Sequence, residues 1–545
     1  MRNTGCRKSK GSDVRRWAGI AFLTGFWLLS FPISEAAATA PPPRTAVSES
    51  SGDHLIKELL TTGGQLQGYG LNLPDLRRFY EGRNFDPAWS SAANADVAIA
   101  TLQGAAADGL DPRDYRADAI TARRRSASNE GRAEFDVLLT NGLLAYIHDM
   151  RVGRVVPDGA GFPIDLPLAG YDAVAGLTDA IRNQGLAGYL SGLAPPHPEY
   201  NVLKAALARY RKIEAEGGWP EIAAFTPIDL DGNDPRIPLL MRRLAFEDLS
   251  VEPDRTTSAE LASAIVRYQT QHGLEPDGIA GKETLDALNT PASVRADQIV
   301  ANMERWRWLP RPFEQTHVEV NTADATLMVI DHGKIVLGSR VITGKPESPT
   351  PVFKAWINGI TVNPSWNIPD RIAENEIWPK ARRISGYFSS QRIVADRPGG
   401  KLRQLPGDNN SLGRIKIEMP NRFDSYLHDT PARSLFAKTH RHFSHGCMRV
   451  EQIQPLASFV MSGDANAASE KITEAIATGE THRLAISKPI PVYVLYWTVL
   501  ADEAGTVEFW PDAYGLDSRV LAALEGQRPV GRVSMLTDCT DSGRA

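Results

Sequence analysis

From about residue 53 to residue 215 the apolar positions repeat at helical spacing. In the run 136–147, Leu138, Leu139, Leu143 and Ile147 fall on one broad stripe, which predicts a helix with a buried face. The stretch 109–115, with Gly109, Asp111, Pro112 and Asp114, breaks the repeat with turn-forming residues. A second, smaller helical unit follows at about 234–292. Leu261, Ile265 and Tyr268 lie on one helix face, and His272-Gly273 marks its stop, glycine being a common helix end. Tyr268, Leu274 and Leu285 are expected in the core of this unit.

Near residue 315 the period changes to two. Residues 317–321 and 326–330 alternate and are rich in β-branched side chains, with a turn at Asp331, His332 and Gly333. Residues 336–342 and 356–362 have the same character. Many short strands separated by Gly, Pro and Asn predict a mostly antiparallel β-sandwich or barrel. The pattern is interrupted at about 370–411. This segment opens as a helix over 372–383 and continues as a Gly/Pro-rich loop. Long irregular insertions in compact domains are usually functional, and a mobile lid is expected here. Beyond residue 489, 492–499 reads as a strong strand, followed by a turn at 502–505 and a second strand at 506–509. Residues 533–545 read as a disordered tail.

The N-terminus adds a compartment. Arg2, Arg7, Lys8, Lys10, Arg15 and Arg16 precede an uncharged, mostly apolar run over 17–33, and Ala36, Ala37 and Ala38 offer a cleavage site. This is the pattern of a secretory signal over 1–38. Two readings stand, a cleaved signal peptide and an uncleaved signal anchor. Both export the rest of the chain. Residues 39–52, rich in Pro, Ala, Ser and Thr, read as a linker.

Composition narrows the class. At 545 residues the chain is too long for one core. Its 42% hydrophobic and 23% charged content is ordinary for a globular protein. A net charge of −5 argues against nucleic-acid binding. There are three cysteines, Cys6, Cys447 and Cys539. A disulfide at Cys447 would consume the nucleophile argued for next, so Cys447 is expected as a reduced thiol.

Cys447 stands in the run Ser444, His445, Gly446, Cys447, Met448, Arg449, and His428 lies nineteen residues upstream. A catalytic cysteine acts as its thiolate and needs a base nearby. His428 and His445 are both candidates. Gly446 allows a sharp turn beside the sulfur, so that consecutive N–H groups could face a developing oxyanion. Zinc is the rival chemistry, since His440, His442, His445 and Cys447 are close in sequence. Their spacing fits no zinc pattern, and no metal is expected.

These residues, with the wider stretch 413–450, resemble the active-site signature of the L,D-transpeptidase (YkuD) catalytic domain, in its large multi-domain periplasmic members. Residues 264–285 resemble a type 1 peptidoglycan-binding module, and 53–215, more loosely, the helical scaffold of the same large enzymes. The resemblance implies a multi-domain α+β chain: a helical scaffold domain (53–215), a small helical peptidoglycan-binding-like domain (234–292), a β-sandwich or barrel catalytic domain (315–489, lid about 370–411) and C-terminal β elements (490–532). It implies acyl transfer through a Cys447 thioester, with His428 as general base. It also implies an oxyanion hole from the N–H groups of His445, Gly446 and Cys447. Tyr426 should face the same side and assist at the carbonyl. Ser444 should orient the loop or a histidine. Arg449 has two open roles, holding a substrate carboxylate or holding the loop. Trp366 reads either as the edge of the cleft or as core. Asp429 stands where smaller relatives carry glycine. The expected partners are peptidoglycan stem peptides, a donor tetrapeptide and an acceptor stem, together with other cell-wall synthesis enzymes. The inner membrane is a partner only if the signal is uncleaved. No metal or organic cofactor is implied. The expected reaction is 3→3 cross-linking in the periplasm, with L,D-carboxypeptidase activity or attachment of an outer-membrane protein to peptidoglycan as alternatives. A thiolate nucleophile also predicts acylation by carbapenems.

Overall fold

The computed structural model describes residues 51–526 apart from 63, 127, 158–162, 168–169, 248–249, 253–254, 462–464 and 503. The expected export signal and terminal tail, with Cys6 and Cys539, lie outside the described residues. No helix among the described residues is long and apolar enough to cross a membrane.

Helices run from Ser51–Thr62 to Pro198–Ala215 in the first unit. The predicted stripe belongs to a longer helix, Asn129–Val152, which is buried on almost every side. Its polar residues are therefore paired inside. The buried Asp136 carboxylate accepts from the Tyr80 hydroxyl at 2.7 Å and from the N–H groups of Ala88 and Trp89 at 2.9 and 3.0 Å. Buried polar atoms need such partners, because each unmade bond costs about 1–3 kcal/mol.

The second unit holds helices Ile237–Leu244, Ser258–Gln271 and Lys282–Leu288. Thr257 and Glu260 form a reciprocal capping box at the start of Ser258–Gln271. Leu261, Ile265, Tyr268 and Leu285 are buried, and Leu274 packs against them half-buried. The turn after this helix is held by Gln269, whose amide nitrogen donates to Asp277, Ile279 and Thr284. These apolar residues are core, as expected.

A helix absent from the sequence reading, Ala292–Arg307, joins the units. Its Glu304 is wholly buried and accepts from Val155 N–H (2.7 Å), Arg307 (2.8 Å) and Trp308 Nε1 (3.2 Å). Its Asn302 donates to Thr498 Oγ1 at 2.7 Å. One helix thus ties the first unit to the C-terminal segment.

The strands, in chain order, are β1 Ile164–Asp165, β2 His317–Asn321, β3 Thr326–Asp331, β4 Lys334–Gly344 and β5 Val352–Val362. Next come β6 Trp366–Ile368, β7 Ile393–Ala395, β8 Leu402–Gln404, β9 Ile415–Glu418 and β10 Leu427–His428. The last are β11 His442–Ser444, β12 Met448–Val450, β13 His482–Leu495, β14 Val499–Ala501 and β15 Val507–Phe509. The order β5-β13-β2-β3-β4-β12-β10-β9 closes on itself through β9 and β5. The result is a barrel, mixed rather than purely antiparallel, because β13–β2 and β10–β12 are parallel. Alternation fills it: Val318, Val320, Leu327 and Val329 point into one core. The strand expected at 492–499 begins at His482 and lies inside the barrel, between β2 and β5. The barrel therefore continues past residue 489. β1, from the first unit, adds in parallel beside Val352 and Phe353 of β5.

The insertion after β5 is more ordered than its composition suggests. Helical structure runs over residues 370–383, opening two residues earlier than predicted and containing a π-turn at Ala373–Ile377. The expected loop holds β7 and β8, which form a three-stranded sheet with β6. Ile368, Ile372, Ala373, Ile377, Ile393 and Leu402 give the lid a core of its own.

Candidate active site

His428 is placed by strand pairing. β10 lies between β9 and β12, with His428 opposite Lys416 and Arg449. Leu427 points into the barrel core, so alternation turns His428 to the outer side. Its Nδ1 lies 2.6 Å from the carbonyl oxygen of Asp429. A carbonyl only accepts, so Nδ1 carries the proton and Nε2 presents a lone pair. Burial, then the Arg449 guanidinium and, more weakly, Lys416, push the imidazole down to about 3, against the Asp429 hydrogen bond. The ring is thus neutral at physiological pH. Tyr426, two residues earlier, faces the same side, with ring centroids 5.6 Å apart.

The Cys447 loop is fixed by its own hydroxyl. Ser444 Oγ donates to the Cys447 carbonyl at 2.5 Å and accepts from Gly446 N–H at 3.1 Å. Gly446 has φ +117°, a conformation that costs other residues strain. Its carbonyl accepts from Thr350 Oγ1 at 2.9 Å and Ser425 Oγ at 3.3 Å. Gly446 N–H thus has a partner of its own in the resting loop. Cys447 itself is buried against Leu412 and Tyr426, with Trp366 packed on the same cluster. One correction concerns the sulfur. Cys447 is disulfide-bonded, so the expected reduced thiol is not the state present. A disulfide sulfur is not a nucleophile, and the bond must open before Cys447 can act.

The other predicted residues are spread around this loop. Trp366 serves both readings at once, since it packs on the Cys447 cluster and on the lid core. Arg449 is largely buried, which holds it below the usual guanidinium range, while the Glu376 carboxylate acts against that shift. The His445 side chain is engaged by the lid: its Nε2 pairs with Glu376 Oε1 at 2.7 Å. His442 Nε2 instead meets the Thr322 carbonyl at 3.0 Å, so the clustered histidines diverge. No group of three or more His, Cys, Asp or Glu among the described residues could hold a metal ion.

Several residues that position the site carried no local signal. Asn363, fully buried, donates from Nδ2 to the carbonyls of Ala475, Ile476 and Glu480. Asn410 Nδ2 donates to the carbonyls of Pro364, Gln404 and Leu405. Together they pin both ends of the lid. Asp429 accepts from Arg414 N–H at 2.9 Å. It lies so close to Gly413 (φ +61°) that a Cβ there would stand 2.3 Å from Asp429 Oδ2.

The loop is also buttressed from the C-terminal segment. Tyr514 donates to the Gly344 carbonyl at 2.7 Å, Gly344 N–H donates to Thr350 Oγ1 at 2.8 Å, and Thr350 donates to Gly446. Thr350→Val keeps the shape and removes the relay. The acylation rate is expected to fall about tenfold, because small displacements of reacting groups cost rate steeply, and stability to fall by about 1–3 kcal/mol, because the buried Gly344 N–H loses its acceptor. Single-turnover acylation with a thermal melt of the same sample measures both.

Residues 315–476 match the family model described as "L,D-transpeptidase catalytic domain", 234–288 that of a "Putative peptidoglycan binding domain", and 74–207 that of a "Scaffold domain". A curated relative, "Putative L,D-transpeptidase" of Haemophilus influenzae, is 29% identical over 242 residues, covering 41% of this chain and 48% of the relative. The match thus spans about half of that relative's length. Among solved structures, an L,D-transpeptidase from Stackebrandtia nassauensis is 16% identical, covering 48% of this chain and 90% of its own, with a TM-score of 0.20. A mutant Enterococcus faecium L,D-transpeptidase is 15% identical, covering 34% and 50%, with a TM-score of 0.17. The stretch that carries His428 and Cys447 thus matches the L,D-transpeptidase catalytic domain, on one chain with stretches that match a scaffold domain and a peptidoglycan-binding domain.

Proposed function

We propose that this chain is a peptidoglycan L,D-transpeptidase that forms 3→3 cross-links through a Cys447 acyl-enzyme. The observation that carries the reading is the locked tautomer of His428, whose Nδ1–H is committed to Asp429. This leaves Nε2 as the acceptor on the strand paired with the one that follows Cys447.

From the reduced state, Nε2 takes the Sγ proton and the thiolate attacks the carbonyl of the third stem residue. The oxyanion is met by the N–H groups of His445 and Cys447, with the Tyr426 hydroxyl assisting. As the tetrahedral carbon collapses, the C–N bond to the terminal D-residue breaks and His428 passes its proton to the leaving amine. An acceptor-stem amine then attacks the thioester and gives its proton to His428. The new amide forms, and the sulfur leaves and is reprotonated. A peptidoglycan substrate and the export signal read from residues 1–38 support a periplasmic setting for this work.

The test is intact-protein mass spectrometry of the reduced chain with purified disaccharide-tetrapeptide, with product separation alongside. An adduct of the disaccharide-tripeptide acyl mass and a cross-linked dimer lacking one terminal D-residue are expected. An adduct that yields only free tripeptide would replace this reading with an L,D-carboxypeptidase.

A further inference from the structure

Glu376 belongs to the lid, yet its carboxylate is used at the catalytic loop. The backbone explains how it gets there. Pro379 has no N–H and its ring crowds the carbonyl four residues before it. Trp378 N–H instead reaches the Ala373 carbonyl, five residues back, and residues 373–377 form a π-turn. Ile372 and Ile377 both enter the lid core. In an unbroken α-helix the partner of Ile372 on that face would be position 376. The extra residue hands the core position to Ile377 and turns Glu376 toward His445. Single π-turns of this kind recur at functional sites.

The surroundings of Glu376 are cationic. His445 Nε2 is 2.7 Å from Oε1, and Lys380 lies 3.8 Å from Oε2. The His445 hydrogen bond is the main cause holding the Glu376 carboxyl below its usual range, with Lys380 and Lys345 adding to it. Arg449, two residues past the sulfur, is largely buried, and Glu376 is the charged group that favours its cationic form. Lys345 N–H is bonded to the Ser444 carbonyl, so this cation also belongs to the loop. A buried guanidinium beside a nucleophile calls for an anion.

We propose that Glu376 is a tethered stand-in for the carboxylate of the peptide substrate: in the resting enzyme it is held by His445 of the loop that also carries Arg449, and a carboxylate-terminated peptide displaces it when binding. The inference rests on the proposed function for the identity of the peptide. It adds a competition between lid and ligand for one face of the catalytic loop. Removing an internal competitor raises apparent affinity by the inverse of the fraction of time the site was free. For a half-exposed ion pair that is about fivefold.

The experiment compares Cys447→Ala with Cys447→Ala/Glu376→Gln by calorimetry, using stem tetrapeptide with a free C-terminal carboxylate and the same peptide as its C-terminal amide. Glu376 is partly exposed, so E376Q should fold as the parent does. The expected result is about fivefold tighter binding of the free acid to the double variant, with the amide changed less than twofold. Equal gains for both peptides, weaker binding of the acid, or no carboxylate-dependent binding would each overturn the proposal. Failure of the proposed function looks different. The affinity gain would persist while the reduced wild type formed no adduct or no cross-link.

Discussion

Cys447→Ala is expected to form no acyl-enzyme with stem tetrapeptide and to lose at least about 10⁴-fold in turnover, because the nucleophile of a cooperating pair cannot be replaced by its neighbours. The side chain is buried among Leu412, Tyr426 and Trp366, so alanine leaves a small apolar space and the fold should survive. A thermal melt distinguishes lost chemistry from lost structure. The wild type carries a related prediction. With Cys447 held in a disulfide, the oxidised chain should give no adduct until treated with a reductant, and then acylate with a single label. Carbapenem acylation should follow the same dependence, since it uses the same sulfur. Adduct formation of equal extent before and after reduction would place the reacting group elsewhere.

His428→Gln is expected to cost about 10²–10⁴-fold in acylation, the usual share of a positioned general base. Glutamine can still donate to the Asp429 carbonyl but offers no imidazole lone pair. The low pKa of the resting ring belongs to a site without a thiolate beside it. A thiolate would supply an opposite charge and raise it. Stability provides a second measurement. His428 and His272 are both buried neutral and pushed down to about 3 from an ordinary value of 6.5. As pH falls below 6.5 the unfolded chain takes up these protons first, so the stability that the neutral rings contribute is complete above 6.5. It is lost progressively between 6.5 and about 3. In H428Q the urea midpoint should fall less between pH 7 and pH 4.5 than in wild type, with the His272 contribution remaining. Identical pH profiles would show that His428 is not buried as described.

Alternation was sufficient to locate β2, since Val318 and Val320 face one core and their neighbours do not. It was not sufficient for β13. Pro489 and Pro491, with a register shift between Ala485 and Ile490, hid the first half of a long strand. The lid strands have three residues each, too few for any period to register. Ala292–Arg307 escaped notice for the opposite reason: Gln298, Asn302, Glu304 and Arg307 read as solvent-facing but are buried and paired with one another or with distant segments. In the site, Cys447, His428, Ser444, Gly446 and Tyr426 were legible because a short motif and a two-residue spacing carry them. Glu376, Thr350, Asn363 and Asn410 were not. Their partners are brought close by the fold, and nothing in the flanking residues announces such a pairing.

The short strand β1 has a practical consequence. β9 pairs with β5 only over Gly359–Val362, and β1 covers Val352 and Phe353 at the other end. A fragment beginning at residue 315 would keep every reacting group and lose that cover. It would present an open, apolar strand edge to other copies of itself, the usual template for strand-to-strand aggregation. The scaffold therefore acts as a built-in solubility device for the enzyme it carries, and truncation to the catalytic domain removes it.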